Sequence, residues 1–319
     1  MRPIGGEIEV AEIKEYIYFT DSGRSSLRLL LRSKKYQKKI YLLPDFFCEV
    51  IEKIFQEEGI LYQFYHINSD LSIDIESIRT KTFDALYVIH YFGQITDITS
   101  INMEDKLLIE DNVFFFDFAN YTNAKEWFGF NSFRKISSLA DGSMIKTNLD
   151  IDGSLIVHDA APFSKKKFLA KEQKYIYIHQ HILNEQEYVR LFQEAEYMLD
   201  MQYKIYSMSE RSQYLLLKYQ IDEKIREYRY RLLKEVFTDY MLLSNVKSYS
   251  FFVLRLKTKR NVVRDMLKQK NIFLAVHWPK SSQKNILYEE VLSVPLFENY
   301  SMEEFEYMKQ VLEEIICEI

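Results

Sequence analysis

Cysteine is nearly absent from this chain: Cys48 and Cys317 are the 2 among 319 residues, and they stand near opposite ends. Residues so far apart make neither a disulfide framework nor a metal-ligand spacing, and they point to a reducing compartment. No apolar run approaches the roughly 20 residues a membrane-spanning helix needs. The opening stretch MRPIGGEIEV lacks the apolar centre of a secretory signal. A cytoplasmic protein is expected. Positive charge is not in excess either: 42 Lys and Arg against 47 Asp and Glu leave a formal net charge of −5. That argues against a broad nucleic-acid surface. His179 and His181 have the spacing of one strand face, but with no third ligand nearby zinc is not expected. Repeats and low-complexity tracts are also lacking.

What is present is core. The chain is 47% hydrophobic and 28% charged, a soluble globular composition with length enough for a large domain and a smaller partner. Its 24 Tyr and 23 Phe are spread along the whole chain, as core and interface fillers would be. Apolar segments at 16–19, 40–43, 61–67, 85–91 and 106–109 read as strands. Helical pieces begin at 27 and carry Val50, Ile51, Ile54 and Phe55, then recur at 74–79 and 97–103, with Gly59 ending the second. Strands alternating with helices predict a mainly parallel, covered sheet. Beyond Asn148 come a turn at 150–154 and a solvated loop at 162–174 that holds Lys165, Lys166 and Lys167. The stretch 185–237 reads as helical. The last third reads as a small α/β unit: a strand at 249–256, a helix at 261–269, a strand at 272–276 and a final helix. Ser301 and Glu304 form a capping box before that helix. The expected division is a large domain, 1–205, followed by a linking helix and small α/β domain, 206–319.

The stretch from Leu107 to Asn148 organises the rest. Its apolar run ends in Glu110 and Asp111, and an acid at the carboxyl end of a strand sits where open α/β sheets bind ligands. Farther on stand Asn131-Ser132-Phe133-Arg134-Lys135 and then Asp141-Gly142-Ser143. Lys135 reads as a surface cation or as a carbonyl-trapping amine. Small polar residues, Thr20 to Ser26, feed the first helix, where free N–H groups make either an ordinary cap or an anion site.

These residues resemble the core of the DegT/DnrJ group of pyridoxal-phosphate-dependent sugar aminotransferases. In that group a strand ends in Ile-Glu-Asp, matched here by Ile109-Glu110-Asp111. A Ser-Phe segment leads into the Schiff-base lysine before a Gly-containing strand, matched by Ser132-Phe133, Lys135 and Asp141-Gly142. The family's phosphate-holding Ser-Gly-Thr falls on Gly23, Arg24 and Ser25, with Arg24 in place of the usual Thr. A Pro followed by an aromatic ring that stacks on the cofactor is matched by Pro44 and by Phe46 or Phe47, either of which is otherwise a core residue. His90-Tyr91-Phe92-Gly93, the Arg-rich segment Glu223 to Tyr230 and His277-Trp278-Pro279 follow the family in order, so the similarity covers nearly the whole chain. His90 by itself reads as supporting the fold.

The resemblance implies a fold-type I architecture: a large domain with a mainly parallel seven-stranded sheet and a smaller C-terminal domain. It implies pyridoxal 5'-phosphate, with Lys135 as the covalent attachment and Asp111 at the pyridine nitrogen. It further implies a nucleotide-linked keto-sugar, an amino-acid donor, a role in surface polysaccharide or glycan assembly, and a homodimer. Relatives that dehydrate sugars usually carry His in place of the lysine, so Lys135 argues for amination. The chain departs from the family at Phe114, where His or Gln usually reaches the cofactor, and in the short Ser132-to-Lys135 spacing. The Gly-x-Asn segment supplied by a neighbouring subunit is not evident. The alternative reading is a non-catalytic relative that binds a nucleotide sugar or a partner enzyme.

Overall fold

Two strands buried along their whole length lie side by side at the centre of a sheet, and everything at the site hangs from their ends. The computed structural model describes residues 15–118, 124–182, 184–279 and 281–318. In chain order the first half runs β1 (Tyr16–Thr20), α1 (Gly23–Arg32), β2 (Tyr41–Pro44), α2 (Glu49–Glu57), β3 (Tyr62–Tyr65), α3 (Ile75–Arg79), β4 (Ala85–Ile89), β5 (Leu107–Asp111), β6 (Glu126–Phe130), α4 (Phe133–Ile136) and β7 (Ser143–Thr147). The second half continues with β8 (Ile156–Ala160), α5 (Pro162–Gln180), α6 (Glu185–Asp200), β9 (Ile205–Ser207), α7 (Glu210–Lys218), α8 (Glu223–Phe237), β10 (Phe251–Arg255), α9 (Arg260–Gln269), α10 (Leu287–Glu290), β11 (Val291–Pro295) and α11 (Met302–Glu318).

The large sheet has the order β3-β2-β4-β5-β6-β7-β1-β9-β8. The five strands from β3 to β6 are mutually parallel, and β7 runs antiparallel to both β6 and β1. The seven strands expected from the resemblance are present, and β9 and β8 extend the sheet beyond β1. A separate antiparallel pair, β10 and β11, belongs to the last third. Strands β4 and β5 are buried on both faces, which is why they read as continuous apolar runs instead of alternating ones.

Because the central strands point the same way, their carboxyl ends share one edge. The turns after β1, β2, β4, β5 and β6 therefore meet there, although as much as 115 residues separate the first from the last in sequence, Thr20 to Lys135. Gly23 opens α1 in close quarters: a Cβ there would stand 3.2 Å from the Asn131 carbonyl oxygen and from the Phe130 ring. The small residue lets the α1 N-terminus sit directly on the end of β6.

Several local expectations are corrected. Residues 97–103 form turns in place of a helix, the Asp97 and Asn102 side chains accepting from the Thr99 and Glu104 N–H groups, and 272–276 holds only an isolated bridge, Ala275 to Ser293. The lysine-rich stretch is not a loop; it lies in α5, where Lys167 is buried against Glu196 of α6. His179 lies in α5, and His181 caps it in a left-handed conformation, so the two do not share a strand face. The helical stretch 185–237 is broken into three helices, by β9 and by a non-helical segment at 219–222.

Candidate functional site

At the shared carboxyl edge a cavity of about 220 Å³ is walled by residues from six separate segments. Ser22, Gly23 and Arg24 come from the α1 N-terminus, and Cys48, Val50 and Ile51 from the start of α2. Ile89 ends β4, Asp111 ends β5 with Val113 just beyond it, Ser132, Arg134 and Lys135 follow β6, and His277 and Trp278 reach in from the last third. Of the residues singled out in the sequence, Gly23, Arg24, Asp111, Ser132 and Lys135 meet in this one place.

Asp111 is 6% exposed and its carboxylate has no ion-pair partner among the described residues. Burial raises its pKa, opposed by the Tyr87 hydroxyl that donates to Oδ2 at 2.7 Å, by the charge of Lys135 and by the Val113 N–H that donates to Oδ1 at 3.0 Å. Lys135 sits in the single turn of α4, its amine pushed below the ordinary lysine range by burial. Cys48 and Asp111 oppose that shift, while the neighbouring Arg134 and Arg24 add to it. Burial thus shifts a carboxyl up and an amine down on the wall of one cavity, the kind of perturbation that marks a candidate site.

The α1 end of the cavity is cationic. Arg24 pairs with Asp200 at 2.6 Å and Arg134 with Glu196 at 3.1 Å, both acids projecting from α6. Lys167 also pairs with Glu196, whose pKa falls to about 2 under the charges of Arg134 and Lys167 despite its burial. Lys171, beside them on α5, is lowered to about 7 by burial and by the charges of Lys167, Arg134 and Lys174. Ser22 caps α1, its side chain accepting from the Ser25 N–H, so Ser25 serves the cap and does not line the cavity. The N–H groups of Gly23 and Arg24 have no intrahelical acceptor and lie at the positive end of the helix dipole. This end suits an anion.

Of the two readings open for Phe46 and Phe47, cofactor stacking or core, both side chains take the core. Phe46 packs among Tyr91, Trp278 and Tyr288, and Phe47 against Phe64. Tyr91 donates to the Phe46 carbonyl and the Phe47 N–H donates to Tyr288, which fixes both rings in the core. The next residue, Cys48, takes the place on the cavity wall. Phe114 is fully buried, stacked on Phe92 and edge-on to His277, and Val113 lines the cavity in its stead. His90 is buried beside Glu110, as a fold-supporting residue would be.

Sequence reading missed Arg134 and Cys48, each one residue from a position it named, and it gave His277 no role in the site. His277 Nδ1 shares a 3.0 Å hydrogen bond with Ser293 Oγ. Burial and the charge of Lys135 push its pKa down to about 3, so the ring is neutral. A second cavity, about 710 Å³, adjoins the first through Arg24 and Val50 and is lined further by Arg28, Lys53, Glu52 and Ser282.

No sequence-family description matches the chain, and no curated protein matches it in sequence. Its fold, in contrast, is shared with solved structures that include an aminotransferase and a dehydratase. The aminotransferase TlmJ from Streptoalloteichus hindustanus superposes with a TM-score of 0.65 at 13% identity, covering 95% of this chain and 86% of its own. The NtdA structure from Bacillus subtilis with bound cofactor PMP gives 0.62 at 16%, covering 95% and 73%. A mutant of GDP-4-keto-6-deoxymannose-3-dehydratase (ColD) with bound GDP-perosamine gives 0.60 at 17%, covering 93% and 88%. The expected fold-type I architecture is therefore observed.

Proposed function

We propose that this chain is a DegT/DnrJ-type aminotransferase that uses pyridoxal 5'-phosphate to place an amino group on a keto-sugar. The observation that carries the reading is the meeting of buried Asp111, buried Lys135 and the cationic α1 N-terminus around one small cavity. The residues fit the cofactor: an unpaired buried carboxylate suits a ring nitrogen that bears a proton, a depressed amine suits an aldehyde, and Arg24 with Arg134 suits a phosphate. When bound, the cofactor supplies a carbonyl carbon that accepts nitrogen and a ring that accepts electrons.

Lys135 Nζ would hold the cofactor covalently and, when released, carry a proton to and from the donor's α-carbon. Asp111 would keep the proton on the ring nitrogen, a charge pairing that also relieves the cost of its own burial. Gly23, Arg24, Ser132 and Arg134 would hold the phosphate. Neither Phe46 nor Phe47 is assigned a stacking role; Cys48 and Val113 would cover the ring instead. The adjoining 710 Å³ cavity would receive the sugar. Lys135 favours amination over dehydration.

The proposal extends to a large domain over 1–205 with a linking helix and small domain over 206–319, and to a homodimer in the cytoplasm that serves glycan assembly. Exposed apolar side chains on α5 to α7, among them Tyr175, Tyr197, Tyr214 and Leu217, support a second copy as their cover. The burial of Phe114 in the core favours the second reading, a non-catalytic relative that binds a nucleotide sugar. The two are separated by supplying the loaded chain with nitrogen-labelled glutamate or glutamine and nucleotide-linked keto-sugars, then weighing the sugars. Labelled amino-sugar is the expected result, and its absence across donors and sugars overturns the enzymatic reading.

A further inference from the structure

His277 and Trp278 are the cavity's wall from the last third of the chain, and each carries a polar ring atom with no hydrogen-bond partner among the described residues. Trp278 is 4% exposed, and its indole N–H has no partner among the described residues. An orphaned buried donor is unfavourable unless a ligand takes it up. The imidazole of His277 is packed edge-on by Phe92, Phe114 and Phe251. Its Nδ1 is committed to Ser293, a fully buried residue of β11. Nε2 is left, and the part of the ring that remains accessible lines the cavity. Nothing from the turn after β5 competes for that place, since Phe114 lies behind His277 and only Val113 reaches the wall.

We propose that His277 holds the cofactor through Nε2, with Ser293 fixing the ring so that this nitrogen is presented to the cavity. The assignment rests on the cofactor reading above and adds a residue to it: a hydrogen bond from the small domain to the pyridoxal group. The neutrality of the imidazole suits a bond that neither adds charge near Lys135 nor competes with Asp111 for a proton.

Amide substitutions separate the two nitrogens, because Asn reproduces the reach of Nδ1 and Gln that of Nε2. Equilibrium binding of pyridoxal phosphate to the purified full chain is measured by absorbance, with cofactor-free thermal melts alongside. His277→Asn is expected to weaken binding about tenfold and His277→Gln to stay within about threefold of wild type, the effect of one hydrogen bond. His277→Phe keeps the aromatic packing and should also lose about tenfold, which decides the matter if the amides do not fold. Wild-type affinity in the Asn or Phe variant overturns the assignment, as does a Gln variant as weak as Asn. A wild-type chain that binds no cofactor overturns this inference and the functional reading together; a wild type that binds, with an indifferent Phe variant, overturns this inference alone.

Discussion

The Tyr87 hydroxyl donates a 2.7 Å hydrogen bond to Asp111 Oδ2 across the neighbouring parallel strands β4 and β5. Tyr87 pairs in register with Ile109, and Asp111, two residues on, shares a sheet face with that pair. The bond favours the ionised acid, so Tyr87→Phe should raise the Asp111 pKa further. Cofactor affinity is then expected to fall several-fold and its pH curve to move upward. Absorbance titration from about pH 5 to pH 9 checks this, and a superimposable curve would contradict it.

Asp111→Asn removes the charge but can retain the Val113 turn. The variant should melt near the wild-type temperature, because an unpaired buried carboxylate is itself unfavourable. Its half-reaction with amino acid should slow by orders of magnitude, since electrostatic terms at such sites are on the order of several kcal/mol. Stopped-flow absorbance beside a thermal melt distinguishes this from a merely turn-forming residue, whose loss would cost about 1 kcal/mol of stability and no rate.

Gly93 has φ +93°, and a Cβ there would stand 2.0 Å from the Ser248 carbonyl oxygen. Its own carbonyl accepts from the N–H groups of Lys247 and Ser248, so this turn fastens β4 to the segment before β10. Gly93→Ala is expected to cost about 3 kcal/mol or more in urea unfolding. A loss below about 1 kcal/mol would mean that the two segments part easily.

Asp21 is fully buried beside the α1 cap, and burial raises its pKa to about 7 against hydrogen bonds from Ser25, Gln202 and Ser22. A carboxyl raised this way binds its proton more tightly in the folded than in the unfolded chain. Stability therefore declines as pH climbs from the unfolded value near 4 to the folded one near 7, and stays reduced above. Asp21→Asn should melt higher than wild type at about pH 8, by roughly 1–3 kcal/mol, with the gain vanishing near pH 4. An equal gain at both pH values would show that the effect is packing and not ionisation.

Much of this was legible because apolar runs at β2, β4 and β5 are too continuous for anything but a covered parallel sheet, whose carboxyl edge then follows. Asp111, Lys135 and Gly23 sit at strand ends, so the sheet alone brings them together. The α5 helix was hidden because Lys167 occupies its buried face, where Glu196 from another helix accepts it. No local pattern carries that pairing. Cys48 was missed by one residue, since the way the chain turns after Pro44 depends on Tyr91 and Tyr288, far along the sequence. His277 stands 142 positions from Lys135, and only the packing of the last third onto the sheet edge places it in the cavity.

The central claim is that Lys135 is the amine that holds the cofactor. Borohydride reduction of the chain loaded with pyridoxal phosphate, followed by peptide mapping, tests it directly. The account predicts a single reduced adduct on Lys135, lost in Lys135→Ala. An adduct on Lys125 or Lys146, or none in a correctly folded chain, would contradict it.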